Sequence, residues 1–370
     1  MTSKAKAEEL LSLAGITIDG LHPWDIQVKD ERLYDRVIAG GTLALGESYM
    51  DGWWDVDDLA EFFNKVLGAK LDQQVKPFSM VWQVLKSKLI NMQSPSRATI
   101  VAEQHYDLGN DLYQKMLGRS MAYTCAYWKE ANNLDDAQEA KFDLICRKVG
   151  LKKGDHILDI GCGFGAFAKY AAEKYGASVV GTSVSKQQIE FAREYTKGLP
   201  VEIRFEDYRE TKGQFDHIIS IGMFEAVGHK NFRVFMEKAH TLLKEEGFFL
   251  LHTIGANWSE TMTDPWIDKY IFPNGHLPSI KQLGASIEKL FVMEDWHNFG
   301  PYYDKTLQAW FKNFDATWAE LKEKYGGDRF YRMWKYYLMC SAGSFRCRNN
   351  QLWQIVLSKN GVPGGYSSVR

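Results

Sequence analysis

The residues best suited to chemistry lie in a short glycine-rich stretch, His156–Ala166, which reads HILDIGCGFGA. An apolar run leads into Asp159, and Gly161, Gly163 and Gly165 follow at alternate positions before a helical pattern begins. This order predicts a strand, a tight turn and a helix start, because glycine allows a sharp turn and a close approach of the backbone to a ligand. The first turn of such a helix also has free N–H groups that can point at the ligand.

The charge of Asp159 bears on which ligand binds there. The spelling Gly161-x-Gly163-x-x-Ala166 also fits the dinucleotide fingerprint, which is a weak signal when it stands alone. A carboxylate beside the turn would repel a pyrophosphate, whereas it would attract a cation such as the sulfonium of S-adenosylmethionine. We therefore expect S-adenosylmethionine rather than NAD, and a purely structural glycine turn is the remaining alternative.

Three further side chains are candidates for chemistry: Glu225, His252 and Cys125. A carboxylate and an imidazole together can transfer protons or hold a small anion, so Glu225 and His252 are a candidate pair. A lone histidine at a strand end is as often a structural residue, and that alternative stays open. Cys125 has no base near it in the sequence, which favours a small buried side chain over a nucleophile.

The elements that must position these residues follow from the alternation of strand and helix patterns, which predicts a doubly wound, mainly parallel α/β sheet. After the first strand, the predicted strands are Ala177–Thr182, Val201–Phe205, Phe215–Gly222, Gly247–Thr253 and a closing strand at Gln351–Leu357. Ser185 and Gln188 predict a capping box at the start of one helix. The apolar face from Phe232 to Leu243 predicts another helix, which we expect to stop at Gly247.

Ligands of such sheets bind beyond the carboxyl ends of the strands, so the residues that follow each strand are candidates. They are Asp159 and the glycines after the first strand, Ser183, Val184 and Gln188 after the second, Asp207 and Tyr208 after the third, Glu225 after the fourth, and His252 at the end of the fifth. No acid follows the second strand, where many nucleotide sites hold the ribose hydroxyls. Hydroxyl groups and Gln188 are then expected to perform that role.

Composition limits the classes of function. The chain has 370 residues, enough for about two domains, and 45% of them are apolar. The net charge of −2 gives no overall basic field for nucleic acid. Five cysteines without a Cys-x-x-Cys motif suggest neither a disulfide framework nor a zinc site, so no metal is expected and a reducing cytoplasm fits best. No apolar run approaches the ~18 residues of a spanning helix, so we expect any membrane contact to come from the surface.

The residues before the glycine turn read mainly as short helices. One helical pattern ends at Gly15, a second stops at Gly40-Gly41, and an apolar face over 59–66 predicts a third. The amphipathic segment 79–92 is interpreted as a core-facing helix or, with its nearby basic residues, as a surface for anionic lipid. These patterns predict a helical N-terminal domain without catalytic residues of its own.

The chain beyond residue 255 exceeds a minimal nucleotide-binding fold. Residues 264–275 are rich in aromatic and turn residues, and 305–324 and 328–340 look helical. An insertion of this size near the ligand edge of the sheet is expected to form an aromatic-rich lid that builds a substrate site. The predicted division is a helical N-terminal domain at 1–92, a linker at 93–98 and a catalytic domain at 99–370.

Several longer motifs carry a resemblance that runs from about Leu10 to Trp353. They are LGESYMDGWW at 45–54, HYDLGNDL at 105–112, CAYWK at 125–129, LDIGCG at 158–163, LHTIG at 251–255, DPWI at 264–267, FPNG at 272–275 and MEDWHNFG at 293–300. In these motifs the chain resembles the bacterial cyclopropane-fatty-acyl-phospholipid synthases, which are similar to the mycolic acid cyclopropane synthases. Together the motifs are far more specific than the glycine turn alone.

The resemblance implies a Rossmann-like class I S-adenosylmethionine-dependent methyltransferase fold. It also implies transfer of a methyl group from S-adenosylmethionine to a cis double bond in a phospholipid acyl chain, followed by deprotonation of a carbocation by a bound bicarbonate. The implied partner is a bilayer of unsaturated phospholipid. The resemblance implies a cytoplasmic enzyme that binds the inner face of the membrane peripherally. A homodimer is expected, and no nucleic acid.

The resemblance also assigns roles to residues. Bicarbonate would be held by Cys125, Glu225, His252, the backbone near Ile254, and Tyr303. S-adenosylmethionine would contact Tyr123, Thr124, Gly161, Cys162, Gly163, Ser183, Val184, Ser185, Gln188, Asp207 and Tyr208, and the glycine turn itself adds Asp159 and Gly165. A carbocation needs a nearby anion in a dry pocket, and bicarbonate needs hydrogen-bond donors, so these residue types suit the assignment.

Two positions depart from the family pattern. Ala226 stands where the family usually has a histidine after Phe-Glu, and Ser341 stands where a cysteine is frequent, with Cys340 one place earlier. A covalent cysteine mechanism from that segment is therefore disfavoured. The alternatives are a methyltransferase for a soluble small-molecule acceptor and an inactive lipid-binding or carrier protein.

Overall fold

The computed structural model of the protein describes residues 1–74, 109–260 and 262–370. Within them, one compact unit comprises residues 1–74, 262–273 and 303–350, and the other comprises 109–260, 274–302 and 351–370. Much of the predicted lid segment therefore belongs to the same unit as the N-terminal helices. The amphipathic segment 79–92, the linker predicted at 93–98 and the start of the 105–112 motif lie outside the described residues, so the predicted domain boundaries stay predictions.

The helices and strands are numbered here in chain order. The helices are α1 (Ser3–Leu13), α2 (Arg32–Met50), α3 (Leu59–Gly68), α4 (Asn110–Leu117), α5 (Leu134–Val149), α6 (Ala166–Tyr175), α7 (Lys186–Tyr195), α8 (Phe232–Leu242), α9 (Pro265–Tyr270), α10 (Ile280–Ile287), α11 (Pro301–Leu321) and α12 (Asp328–Arg346). The strands are β1 (Gln27–Val28), β2 (Trp54–Asp55), β3 (His156–Ile160), β4 (Ser178–Ser183), β5 (Val201–Phe205), β6 (Phe215–Ile221), β7 (Leu243–Ala256), β8 (Val292–Asn298) and β9 (Asn350–Ser358). No described helix combines the length and the apolar character that crossing a bilayer requires.

Helix α2 of the first unit is kinked rather than ended by its glycine pair. Gly41 has φ 60° and ψ −142°, which interrupts the helix for one residue before it resumes and runs to Met50. The predicted stop at Gly40-Gly41 is therefore wrong. Beyond the kink, the Glu47 carboxylate accepts hydrogen bonds from Lys269 Nζ at 2.6 Å and from the Tyr270 hydroxyl at 2.9 Å. These bonds hold α2 against α9 within the unit.

Helices α3 and α12 form the tightest packing of the first unit. The predicted apolar face of α3 is confirmed, because Leu59, Phe62, Phe63 and Val66 are buried. A Cβ at Gly343 of α12 would lie 2.6 Å from the Phe63 Cβ, so only glycine allows the two helices to approach this closely.

The second unit contains a seven-stranded sheet with the order β5-β4-β3-β6-β7-β9-β8. The pairs β4–β5, β3–β4, β3–β6 and β6–β7 are all parallel, and β8 pairs antiparallel with β9. The chain moves outward from β3 through β4 to β5 and then returns to the other side of β3 with β6. The gap between the carboxyl ends of β3 and β6 is therefore the topological switch point, where open α/β sheets bind ligands.

Apolar side chains cover both faces of this sheet. Ile157 packs in the cluster with α5 and α6, whereas Leu158 packs with α8 on the opposite face, as alternation along a strand requires. Asp159 follows on the same face as Ile157, toward α5. The sequence pattern thus fixes the direction in which the first candidate acid points.

Two features of the sheet differ from the sequence prediction. Helix α8 ends at Leu242 and β7 begins at once with Leu243, so the predicted helix stop at Gly247 is wrong. Gly247 lies inside β7, where a Cβ would overlap the carbonyl oxygen of Asp216 on β6. Strand β8 was not predicted, because its sequence VMEDWHN is largely polar and its order depends on pairing with β9.

Candidate functional site

The glycine turn lies at the switch point with all three glycines in left-handed conformations. The φ values are 80° at Gly161, 54° at Gly163 and 81° at Gly165, which favour glycine. A Cβ at Gly161 would lie 2.5 Å from Met223, whereas one at Gly163 would have no neighbour within 4 Å. Gly163 is therefore the point of the turn that faces open space, as a ligand-contacting glycine should.

The first N–H groups of the turn bind protein rather than point outward. The N–H groups of Gly161 and Cys162 donate to the Thr182 carbonyl on β4 at 2.9 and 3.0 Å. They anchor the turn to the sheet, so any cofactor contact of these two residues uses other atoms. Burial raises the pKa of the Cys162 thiol well above its usual value, which keeps it a neutral, unreactive side chain.

Asp159 has a cation beside it inside the protein. Its side chain is buried, and burial raises its pKa to about 7 against the opposing charge of Lys141. Lys141 on α5 is also buried, and burial lowers its pKa to about 7. A cationic ligand is therefore not needed to explain the acid, and the charge of Asp159 alone distinguishes the two cofactors less sharply than the sequence suggests.

Helix α5 holds the loop that carries Tyr123, Thr124 and Cys125. Gln138 Nε2 donates to the Thr124 carbonyl at 2.9 Å, and Lys141 Nζ donates to the Thr124 hydroxyl at 2.7 Å. A Cβ at Gly222, just after β6, would lie 2.5 Å from Thr124 Cγ2. The loop thus lies at the carboxyl end of β6. The ring of Tyr123 packs against Tyr113, with 5.2 Å between ring centroids.

The segment after β4 forms a small polar network. Ser185 caps α7 by accepting from the Gln188 N–H at 3.4 Å, as predicted. The reciprocal half of the capping box is wrong, because the Gln188 side-chain oxygen accepts instead from the Ser183 hydroxyl at 3.3 Å. The Ser183 oxygen in turn accepts from the Ser185 N–H. Val184 lies half-buried between these two serines.

The two residues predicted after β5 are already engaged by protein neighbours. The Asp207 carboxylate accepts from Arg209 Nε and Nη2, each at 2.8 Å. Tyr208 is buried and packs edge-on against Phe235, with 5.0 Å between ring centroids. Both side chains have clear structural roles, so their cofactor contacts stay predictions.

Glu225 lies in a single 3-10 turn, Phe224–Ala226, directly after β6. Its Oε1 accepts from the Ile254 N–H at 2.6 Å, while its buried Oε2 has no hydrogen-bond partner among the described residues. Burial raises the pKa of this carboxyl to about 7, against hydrogen bonds that favour the ionised form. The residue is half-buried as a whole, but the carboxylate end is the enclosed part.

His252 lies within β7, which continues to Ala256, so its predicted place at the end of that strand is wrong. It is opposite Ile221 of β6, and its carbonyl accepts from the Gly222 N–H at 2.8 Å. Its Nδ1 is 3.3 Å from Gln354 Nε2, and its buried Nε2 has no partner in the described part of the chain. Burial, with the nearby charges of Lys141 and Lys148, lowers the pKa of His252 well below its usual value. The imidazole is therefore neutral at physiological pH.

The three remaining candidates have different surroundings. Cys125 is fully buried, with its Sγ 3.3 Å from the Ala126 carbonyl. The N–H of Ile254 is the group that holds Glu225. Tyr303 belongs to the first unit, where its ring packs on Phe345 with 4.6 Å between centroids.

Sequence reasoning missed Gln138, Lys141, Lys148 and Gln354, which surround the candidate residues. A lysine on a helix is ordinarily solvated, so nothing marks Lys141 as buried except its place on the same face as apolar residues of α5. Gln354 lies in a strand whose other residues predict only a core. Polar residues at core positions of predicted elements were the available signal.

This fold and its glycine turn at the switch point define a class I S-adenosylmethionine-dependent methyltransferase fold, as predicted. A solved structure of coclaurine N-methyltransferase, bound to N-methylheliamine and SAH, is similar to the chain with a TM-score of 0.71 and 22% identity, over 85% of this chain and 99% of that one. At this identity the likeness shows the fold alone.

The family follows from closer relatives. The sequence pattern described as mycolic acid cyclopropane synthetase matches residues 93–355, and the chain belongs to this family of enzymes. It is 52% identical to the cyclopropane-fatty-acyl-phospholipid synthase of Escherichia coli strain K12, over 98% of this chain and 95% of the relative. A crystal structure of mycolic acid cyclopropane synthase CmaA1, complexed with SAH and CTAB, has a TM-score of 0.66 and 30% identity, over 70% of this chain and 98% of that one. The resemblance seen in the sequence motifs is confirmed.

Proposed function

We propose that the protein transfers a methylene carbon from S-adenosylmethionine to the cis double bond of an unsaturated phospholipid acyl chain, which becomes a cyclopropane. The observation that carries this proposal is a pair of buried polar atoms that have no hydrogen-bond partner among the described residues. They are Glu225 Oε2, shortly after the carboxyl end of β6, and His252 Nε2, within β7 opposite that end. Support also comes from the Escherichia coli synthase, which shares 52% of the sequence over nearly the full length.

The cofactor site is proposed at the glycine turn. Gly163 offers open space, and Ser183 and Gln188 supply hydroxyl and amide groups after β4, where a ribose needs partners. Tyr123 and Thr124 are proposed to contact the cofactor from the loop that α5 holds, where Thr124 lies against Gly222 after β6. When bound, S-adenosylmethionine supplies an electrophilic methyl group on a sulfonium. The crystal structure of CmaA1 contains SAH, the form that such a donor leaves, which supports this assignment.

The anion site is proposed between Glu225 and His252. Bicarbonate has both acceptor oxygens and one O–H, so it can accept from an imidazole N–H and donate to a carboxylate oxygen. The two unfilled atoms fit such a guest, because a buried polar atom without a partner is costly. Cys125 and Tyr303 are included as further holders from the family resemblance, and Ile254 acts through the hydrogen bond that orients Glu225.

The proposed reaction needs no covalent enzyme intermediate. The π electrons of the alkene form the bond to the methyl carbon while the C–S electrons leave with sulfur. The electrons of one C–H bond of that methyl then close the ring, and the proton that is released needs a base. Bicarbonate held by Glu225 and His252 would supply that base. Glu225, with a pKa raised to about 7, orients the anion and can take up its proton near neutral pH. The enclosed site strengthens these interactions by excluding water.

The membrane arrangement is part of the same proposal. We propose a cytoplasmic enzyme that contacts the inner face of the membrane peripherally, with the N-terminal domain at 1–92 used for lipid docking or for a homodimer. The amphipathic segment 79–92 and its basic neighbours support lipid contact through combined apolar and electrostatic attraction. Residues 99–370 are proposed to carry the catalysis.

The test uses the full chain with methyl-labelled S-adenosylmethionine and vesicles of a cis-unsaturated phospholipid. We expect label in the lipid, a mass gain of one CH2 per double bond, and loss of turnover when bicarbonate is depleted and its return when bicarbonate is restored. Vesicles of the saturated phospholipid are the matched control and should take up no label. Label that never enters unsaturated lipid would refute the proposal.

A soluble acceptor is the second candidate. The observation in its favour is that coclaurine N-methyltransferase covers 85% of the chain, a larger share than the 70% that CmaA1 covers. Its 22% identity limits the likeness to the fold, so the lipid reaction is the stronger proposal. Labelling of a soluble amine in the same assay, with none in lipid, would reverse this order.

A further inference from the structure

One buried residue outside the candidate list contacts the imidazole of His252. Gln354 lies in β9, between β7 and β8 in the sheet, directly opposite His297 of β8. It is completely buried, and its Nε2 is 3.3 Å from His252 Nδ1. Its Oε1 has no partner among the described residues, so the contact to His252 is the polar contact that fixes this side chain.

The chemistry of the amide decides the direction of this hydrogen bond. The structure places the amide NH2 rather than the amide oxygen toward the ring, and an NH2 has two donors and no acceptor, so in this placement the ring nitrogen is the acceptor. Nδ1 of His252 therefore carries a lone pair. A neutral imidazole has one N–H, which must then be on Nε2. Burial, together with the charges of Lys141 and Lys148, disfavours a second proton on the ring.

We infer that Gln354 is a positioning residue that sets the tautomer of His252, so that the imidazole presents an Nε2–H donor to the anion site and does not act as the base. This inference rests on the proposed function, since the donor needs an anion to receive it. Nε2 is buried and has no hydrogen-bond partner among the described residues, which fits a donor that serves a ligand. Glu225 Oε2, also unfilled, supplies the complementary acceptor. Together they fit a guest that accepts one hydrogen bond and donates another, as bicarbonate can.

The same logic explains why an amide rather than a carboxylate suits position 354. A glutamate of equal length would accept from Nδ1–H and leave Nε2 with a lone pair, or would favour a doubly protonated ring. The first state removes the donor from the anion site. Gln354→Glu is therefore a nearly isosteric change with a specific chemical effect, and Gln354→Leu removes the hydrogen bond without replacing it.

The primary test is NMR of the full chain labelled with 15N-histidine, without substrate. The His252 signals are identified by their loss in His252→Asn. We expect the wild type to show the Nε2–H tautomer, Gln354→Leu to show a mixture of tautomers, and Gln354→Glu to show a protonated Nδ1. A wild-type ring protonated on Nδ1 alone would overturn the inference, and this result needs neither Gln354 variant to fold.

Kinetics supply the second readout. Gln354→Leu and Gln354→Glu should each lower kcat by about tenfold to a hundredfold, the usual effect of losing one aligned donor or its orienting partner, with KM for S-adenosylmethionine unchanged. Gln351→Leu is the matched control, because Gln351 is buried in the same strand but its Oε1 accepts from Asn298 Nδ2 at 2.9 Å. The control should keep the wild-type tautomer and a kcat within about twofold.

The two readouts separate this inference from the proposed function. An Nε2–H tautomer that changes in Gln354→Leu supports the inference even where the wild type labels no lipid, in which case the proposed function alone fails. Wild-type lipid labelling together with an unchanged His252 spectrum in Gln354→Leu overturns the inference alone.

Discussion

Replacement of Glu225 by glutamine should separate activity from stability. Glutamine has the same length, and its Oε1 can still accept the Ile254 N–H that Glu225 accepts at 2.6 Å. It cannot ionise or take up a proton. We therefore expect Glu225→Gln to bind S-adenosylmethionine normally and to lose most of its turnover, while the folded protein becomes more stable at neutral and alkaline pH.

The gain in stability follows from the pKa of the enclosed carboxyl. Burial raises the pKa of Glu225 from 4.5 to about 7, so the folded state holds the proton more tightly than the unfolded state. Ionising it in the fold then costs roughly 3 kcal/mol, at about 1.4 kcal/mol per tenfold change in proton affinity. The protonated Glu225 carboxyl stabilises the folded wild type, and this stabilisation is lost as the pH rises from 4.5 to about 7. The glutamine variant has no such proton and shows no such loss. The free energy of unfolding of the variant, relative to that of the wild type, should therefore increase by roughly 2 kcal/mol from about pH 5.5 to about pH 8.5.

Urea unfolding of both proteins at these two pH values measures the difference, and labelled-lipid assays measure turnover. Glu245→Gln is a contrast of opposite sign, because hydrogen bonds from Lys359 and Asn360 lower the pKa of the exposed Glu245. That variant should lose stability at neutral pH and keep its turnover. A Glu225→Gln protein whose relative stability is the same at both pH values would refute the reasoning, and retained turnover would remove Glu225 from the site.

Three further changes have distinct expected outcomes. Gly163→Val should abolish S-adenosylmethionine binding, since a branched side chain at φ 54° would occupy the open side of the turn; calorimetry that shows unchanged affinity would contradict this. Lys141→Met should destabilise the fold by about 1–3 kcal/mol in urea unfolding, because it leaves buried acceptors on Thr124 and Gln138 unpaired; no loss would show that these groups find other partners. Gly255→Ala should cost about 1–3 kcal/mol in the same assay, because its Cβ would overlap the ring of Trp353, and an unchanged midpoint would mean that the ring can move.

Local patterns in the sequence were sufficient for the parallel part of the sheet. The strand before Gly161, the alternation that follows and the buried face of α3 depend on residues near one another in the chain, so periodicity reports them. Strand β8 has no such pattern, because its residues are polar and only pairing with β9 orders them. The end of α8 was misplaced since Gly247 serves a close contact between strands rather than a helix cap.

The candidate site was predictable in its residues more than in its electrostatics. Family motifs name Glu225 and His252, and the structure adds that each has one enclosed polar atom that no other described residue contacts by a hydrogen bond. The charge of Asp159 is visible in the sequence, but the ammonium of Lys141 beside it is not, because tertiary packing decides which lysine is buried. Gln354 reaches His252 across two strands that are distant in sequence, and no local pattern reports such a pair.

The kink at Gly41 allows the second half of α2 to change direction relative to the first half. Glu47 lies six residues beyond Gly41, about 9 Å along the axis at 1.5 Å per residue. A swing of about 20° at the pivot would carry Glu47 sideways by roughly 3 Å, more than a hydrogen bond tolerates. A single pair of backbone dihedral angles thus governs whether the ties to Lys269 and Tyr270 hold, and a side chain at position 41 would act on α9 without touching it.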